Sequence, residues 1–205
     1  MKSLNQYHDI ISIGSSCQTS YQLRRMKLRK ESGPFDWFIS TSVPGIVKLF
    51  HNQFQYYMES DQLQLIGKAH QHYIVRDTHY FVDSYHDFPF THHENLWNQE
   101  YAAFKQKIER RVQRFLNTLA QSPSIVLVRT QMTKEEALQL HQAIKPWIGT
   151  SDYCLLAVNY HEDWARTDVV REDWGLDHIK AAQIPKGEDW RGADAAWAQL
   201  FDKPW

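Results

Sequence analysis

The stretch ISIGSSCQTS, residues 11 to 20, holds one of only two cysteines in a chain of 205 residues. The apolar run DIISIG, residues 9 to 14, ends on Gly14, a pattern that predicts a buried strand stopped by a turn. Cys17 then stands at the start of a helix expected from about Gln18 to Lys30 and ended by Gly33 and Pro34. A thiol in that place meets unpaired backbone N–H groups and the positive end of a helix dipole, which favour thiolate over thiol. The thiolate is the nucleophilic form. The expected chemistry is attack on a carbonyl, with the turn at Ser15, Ser16 and Gln18 contacting the substrate and its N–H groups holding the oxyanion. A small side chain in a tight turn is the competing explanation for Cys17.

A cysteine nucleophile needs a base, and most of the 11 histidines fall between His70 and His93. His86, in YHDF, ends an expected hairpin, so a strand-to-loop junction would aim its ring at the crevice beyond the first strand. Asp87 or Asp36 would orient the imidazole or hold it protonated, and the residues do not choose between them. Arg111, on the edge of a helical apolar stripe, has the planar fork that binds a carboxylate or phosphate. Arg129 and Asn159 each follow or end a strand and would line the same crevice. Other phosphate and nucleophile motifs fail on spacing. Gly14 has neither the second glycine of a dinucleotide fingerprint nor the lysine of a P-loop, and no G-x-S-x-G elbow is present. A cysteine phosphatase would place arginine six positions after its cysteine, where this chain has Leu23. The pairs His70 with His72 and His92 with His93 lack a compact cysteine or carboxylate partner pattern, so neither a metal nor a cofactor is expected.

These residues need elements to position them. HYIVRDTHYFVDSY, residues 72 to 85, reads as two strands or a hairpin around Asp77 and Thr78. Thr91 with Glu94 has capping-box spacing that should start a helix, and Trp97, Tyr101, Phe104, Ile108, Val112, Phe115 and Leu119 recur at helical spacing beyond it. SIVLVR at 124 to 129 is a buried strand, and Thr133 with Glu136 caps the next helix. DYCLLAVNY and HIKAAQI are further strands, and ADAAWAQLF is a terminal helix. Strands alternating with helices predict one α/β domain over residues 1 to 205. Its sheet should be mostly parallel and flanked by helices in three Rossmann-like layers, with the β-hairpin as an insertion.

Composition sets outer bounds. Lys plus Arg total 23 against 24 Asp plus Glu, so bulk charge favours neither nucleic acid nor an anionic membrane as partner. No apolar run approaches the roughly 18 residues of a membrane span. Two cysteines are too few for a disulfide framework, which suits a reducing, cytoplasmic setting. The aromatics, 14% of the chain, fall largely at helix or strand spacing beside aliphatics, as core residues do.

SIGSSCQTSYQLRRMKLRKESGPFDWFIS at residues 12 to 40, YHDF at 85 to 88, RRVQRF at 110 to 115 and VLVR at 126 to 129 carry a family likeness. Over about its first two thirds the chain resembles a bacterial papain-like cysteine peptidase family catalogued as a domain of unknown function. The resemblance implies a nucleophile matching Cys17 and a general-base histidine matching His86. Ser32, Gly33 and Pro34 depart from the serine-tyrosine-proline-like lead into FDW, a change of turn geometry more than of chemistry. Papain-like folds are not doubly wound, so the architecture is taken from the order of elements. The expected function is a cysteine hydrolase of peptidase or amidase type, or an acyl transferase, acting on a small-molecule, peptide or glycan-derived substrate. The alternative is a noncatalytic module in which Arg111, Arg129 and the aromatics hold an anion or glycan in the same crevice.

Overall fold

A short run buried at every position fits a strand covered on both faces, and residues 125 to 130, all buried, form such a strand inside a five-stranded sheet. The computed structural model describes residues 2–90, 93–149 and 152–205. In chain order the elements are β1 (Asp9–Ser12), α1 (Cys17–Arg25), β2 (Phe38–Ile39), α2 (Val43–His51), β3 (Leu63–Ala69), β4 (His72–Asp77), β5 (Val82–Pro89), α3 (Tyr101–Gln121), β6 (Ile125–Thr130), α4 (Lys134–Ile144), β7 (Tyr153–Tyr160), β8 (Val170–Glu172), β9 (Ile179–Ile184) and α5 (Asp194–Asp202). A five-stranded sheet runs β1-β6-β7-β9-β8. β1, β6, β7 and β9 are parallel, and β8 closes the edge antiparallel to β9.

Because side chains alternate along a strand, the sheet divides its apolar residues between two cores. Val126, Val128, Leu156, Val158 and Ala182 pack with Leu23 of α1 and with Trp197, Leu200 and Phe201 of α5. Ile125, Leu127, Leu155, Ala157 and Ala181 pack with Phe115 and Leu119 of α3 and Leu140 of α4. This is the expected mostly parallel sheet between helical layers.

The expected hairpin is β4 with β5, but it belongs to a separate antiparallel sheet of order β2-β5-β4-β3. Phe38, Tyr73, Val75, Val82 and Phe88 of that sheet join the core under α3. β3 lacks a readable pattern because none of its residues is fully buried and its register shifts between Leu65 and Gly67. α2 is hidden by Pro44 and Gly45, which read as breakers; Pro44 sits in the first turn, where no N–H partner is lost, and the Ser42 hydroxyl accepts the Gly45 N–H at 3.1 Å.

Two boundaries differ from expectation. α1 ends at Arg25 rather than Lys30, because Lys27 takes a left-handed conformation with φ of 59°. α3 starts at Tyr101, after a 3-10 turn at Glu94–Leu96; Thr91, the expected cap, lies outside the described residues. The Thr133/Glu136 capping box is present, with N–H to side-chain bonds of 2.8 and 3.2 Å. Among the described residues no helix is long and apolar enough to cross a membrane.

Gly14 joins β1 to the turn before α1 with φ of +96°, and a Cβ there would lie 2.3 Å from Ser40 Oγ and 2.6 Å from Arg129 Nη1. Gly14→Ala therefore combines backbone strain with overpacking and is expected to destabilise by about 2–4 kcal/mol. Urea unfolding checks this; a loss under about 0.5 kcal/mol would mean that the junction yields easily.

Candidate active site

The strand-to-helix junction puts Cys17 at the first position of α1, with Ser16 as the N-cap and its hydroxyl accepting the Gln18 N–H at 3.4 Å. An N–H at that position has no intrahelical acceptor, so the Cys17 amide is left beside its own thiol. Cys17 is 9% exposed. The imidazole comes from the other sheet: β5 carries His86, whose Nε2 is 3.9 Å from Cys17 Sγ. That is long for proton transfer in place, as unliganded pairs commonly are. Trp37 holds its ring edge-on to His86 at 6.4 Å, and the His72 ring lies 6.0 Å away on the neighbouring strand. The pair opens into a crevice of about 570 Å³ walled by Trp37, Ile39, Tyr85 and Trp190, with Ser16, Gln18 and His70 completing its lining.

The resting charges differ from those the helix terminus alone predicts. Burial pushes the Cys17 thiol up to about 11, and the charges of Asp36 and Asp87 push the same way, while its backbone N–H opposes them. Desolvation outweighs one turn of helix dipole here. His86 is pulled below the ordinary histidine range by burial and by His72, with Asp87 opposing. At neutral pH the pair is thus thiol with neutral imidazole, so the expected resting thiolate is corrected to a thiol that must lose its proton during the reaction.

The chain's residues 8–160 match a family described as "putative papain-like cysteine peptidase". The chain belongs to this family. It is also 29% identical over 136 residues to an uncharacterized protein of Acanthamoeba polyphaga mimivirus, covering 59% of this chain and 60% of that one. The chain thus spans about 60% of the length of that relative. No solved structure matches.

The other site residues that the sequence suggests scatter. Asp87 accepts from the Ser84 hydroxyl at 2.7 Å and pairs with Lys107 of α3, so it acts on the crevice only through space. Asp36 is buried and takes Ser20 Oγ at 2.6 Å, Arg29 at 2.7 Å and the Gly33 N–H at 2.8 Å, which makes it the keystone of the 29–36 turn. Among the described residues neither carboxylate is hydrogen-bonded to His86. Ser15 is sealed at 1% exposure, its N–H and hydroxyl both directed to Thr130 Oγ1, so it is corrected from a substrate contact to a brace between β1 and β6. Ser16 and Gln18 do line the crevice. Gln18 is itself held, its Oε1 accepting from the Tyr160 hydroxyl at 2.7 Å and its Nε2 donating to the Trp190 carbonyl at 3.1 Å.

Arg129, expected to meet substrate, is completely buried and donates to the Ile13 and Ser40 carbonyls. Asn159 is corrected likewise: its amide bonds both the N–H and the carbonyl of Met132 at 3.0 Å, bracing the loop after β6. Arg111 lines a different depression with Lys30, Glu31, Ser32 and Arg114. None of the arginines expected to hold an anion lines the crevice. Among the described residues no group of three or more His, Cys, Asp and Glu is arranged for a metal, and His92 lies outside them.

Sequence reasoning missed Trp37, Ile39, Tyr85 and Trp190. The FDW and YHDF blocks contain Trp37 and Tyr85 and would have exposed those two. Trp190 has no local signal except the flanking Gly187 and Gly192, which take φ of 85° and 84°.

Proposed function

We propose that this chain is a cysteine hydrolase of peptidase or amidase type, or an acyl transferase, with Cys17 as nucleophile and His86 as general base. The Sγ to Nε2 approach of 3.9 Å at the floor of an open crevice carries this reading. As Sγ attacks a carbonyl carbon, the thiol proton passes to His86 Nε2 and the carbonyl electrons move onto oxygen. The Cys17 N–H, which has no intrahelical acceptor at the first helical position, is the donor we assign to that oxyanion. Collapse of the intermediate breaks the bond to the leaving group, which takes the proton from His86 and leaves an acyl thioester on Cys17. Water, or an acceptor nucleophile in the transferase case, then gives its proton to His86 and attacks the thioester carbon; the carbon–sulfur bond breaks, the acyl group leaves as the acid or the acylated acceptor, and Sγ takes the proton back from His86. Trp37 and His72 keep the imidazole in place by ring contacts. Two free thiols, Cys17 and Cys154, favour a reducing compartment, and we place the protein in the cytoplasm on that ground.

The test is the pH dependence of Cys17 alkylation by iodoacetamide, followed by mass spectrometry in wild type and His86→Ala. With a thiol near 11, only about one molecule in ten thousand is thiolate at pH 7. Base assistance should therefore lift the neutral-pH rate of wild type at least about tenfold above the thiolate fraction alone. That added rate appears as pH rises through the His86 pKa, below 6.5, because a protonated imidazole accepts no proton. His86→Ala should lose this limb and follow a single alkaline titration. Superimposable profiles would remove His86 from the mechanism.

A further inference from the structure

Building on the cysteine-nucleophile reading, we infer that the crevice selects an uncharged apolar acyl group, aromatic or aliphatic, and places it beside the Cys17 sulfur. The walls are apolar and held rigidly. Trp190 is 57% exposed, yet its loop is not loose. The Trp190 carbonyl accepts from Gln18 Nε2 at 3.1 Å and the Arg191 carbonyl from Gln22 Nε2 at 2.6 Å, so two side chains of α1 pin the loop directly over the nucleophile. Gly192 is the reason it sits so close: a Cβ there would lie 2.6 Å from the Gln18 side chain. Tyr21 backs the indole edge-on at 5.3 Å. On the opposite wall Trp37 is set by a positive φ of 72° with the Arg29 guanidinium 5.6 Å from its ring.

The charge pattern agrees with the shape. Among the described lining residues there is no Asp, Glu, Lys or Arg. The two nearby acids, Asp36 and Asp87, are each spent on a cation, Arg29 and Lys107, and neither pair belongs to the crevice lining. A substrate carboxylate would enter this space with no Lys or Arg among the described lining residues to meet it, and an ammonium with no Asp or Glu. An apolar group gains by leaving water and by stacking on the indoles. Selection therefore rests on burial of the acyl side, with the polar lining of Ser16 and Gln18 left to the reacting carbonyl.

Three alkylating probes of Cys17 separate the possibilities: N-phenyl iodoacetamide, iodoacetamide and iodoacetate, each rate divided by its rate with N-acetylcysteine. In every case the Sγ–C bond forms as iodide leaves and the thiol proton goes to His86 or buffer. The phenyl reagent should react at least tenfold faster than iodoacetamide after this correction, and iodoacetate at least tenfold slower. Trp190→Ala should bring the phenyl preference below threefold, and Trp190→Phe, which keeps an aromatic wall, should restore most of it. Cys17→Ser confirms the labelled site. A wild-type preference near one, a preference for iodoacetate, or a phenyl preference unmoved in Trp190→Ala overturns the selectivity while leaving the nucleophile standing. Cys17 silent toward all three reagents takes down the nucleophile and this inference with it.

Discussion

Cys17→Ser is expected to lower acyl transfer from p-nitrophenyl butyrate by at least about 10³-fold while leaving the fold intact. The size of the effect comes from two weaknesses that compound. A serine hydroxyl holds its proton far more tightly than a thiol, and the imidazole that must take it is already a weak base, since burial and His72 lower its pKa. The oxygen also sits closer to its Cβ than sulfur does, widening a gap that is 3.9 Å in the native pair. The fold should tolerate the change, because among the described residues the side chain at the first helical position is hydrogen-bonded only to His86, and a hydroxyl suits that position. Release of p-nitrophenolate, with intact-mass detection of an added butyryl group, reads the chemistry; thermal unfolding reads the fold. A serine variant that still accumulates the acyl adduct at a comparable rate would show that the ester is cleaved elsewhere.

The expectation of that pair was readable in the chain, and the reason is local. DIISIG ending at Gly14 fixes a strand, the polar S-S-C-Q-T-S run behind it fixes a helix start, and a thiol between them has one sensible orientation. Four strands of the five-stranded sheet were also legible, from their apolar runs; β8, three residues long with none fully buried, was not. The antiparallel sheet was legible only in its β4–β5 hairpin. β3 is half-exposed throughout and β2 is two residues long, so neither has a period to detect, and their pairing depends on partners distant in sequence.

The same limit governs the site. Residue type alone cannot tell a solvated arginine or aspartate from one spent inside the protein. Arg129, Asp36, Asp87 and Asn159 all stand near strand or turn ends, as site residues do, yet each spends its polar atoms on the scaffold. The crevice lining comes from five separate segments, and only their assembly reveals that the space is largely aromatic and free of Asp, Glu, Lys and Arg among the described residues. The family likeness therefore points to Cys17 and His86 better than to the architecture around them: Cys17 opens the helix that follows a strand of the parallel sheet, and His86 stands on a strand of the antiparallel one.

What joins those two sheets at the site is Arg129, and its removal should be the costliest single change to stability. The guanidinium, wholly buried at the end of β6, donates to the Ile13 carbonyl at 2.7 Å, to the Ser40 carbonyl and to Ser40 Oγ at 3.3 Å. Ile13 leads into the Cys17 turn and Ser40 follows β2, so one side chain ties both halves of the crevice. No carboxylate pairs with it among the described residues: Nε lacks a partner, and burial pulls the group down to about 10, with Glu136 opposing through space. Relief of that desolvation would favour an apolar replacement, but the backbone carbonyls cannot be removed with the arginine, and each left without a donor costs about 1–3 kcal/mol. Arg129→Met, which keeps most of the volume, should therefore lose about 1–3 kcal/mol, and Arg129→Ala, which adds a cavity, about 3–5 kcal/mol. Urea unfolding measures both. Because the tether sets the separation of Cys17 and His86, the neutral-pH alkylation limb should weaken in Arg129→Met even where the protein is fully folded. Arg129→Ala within about 1 kcal/mol of wild type would mean that the two sheets hold together without it.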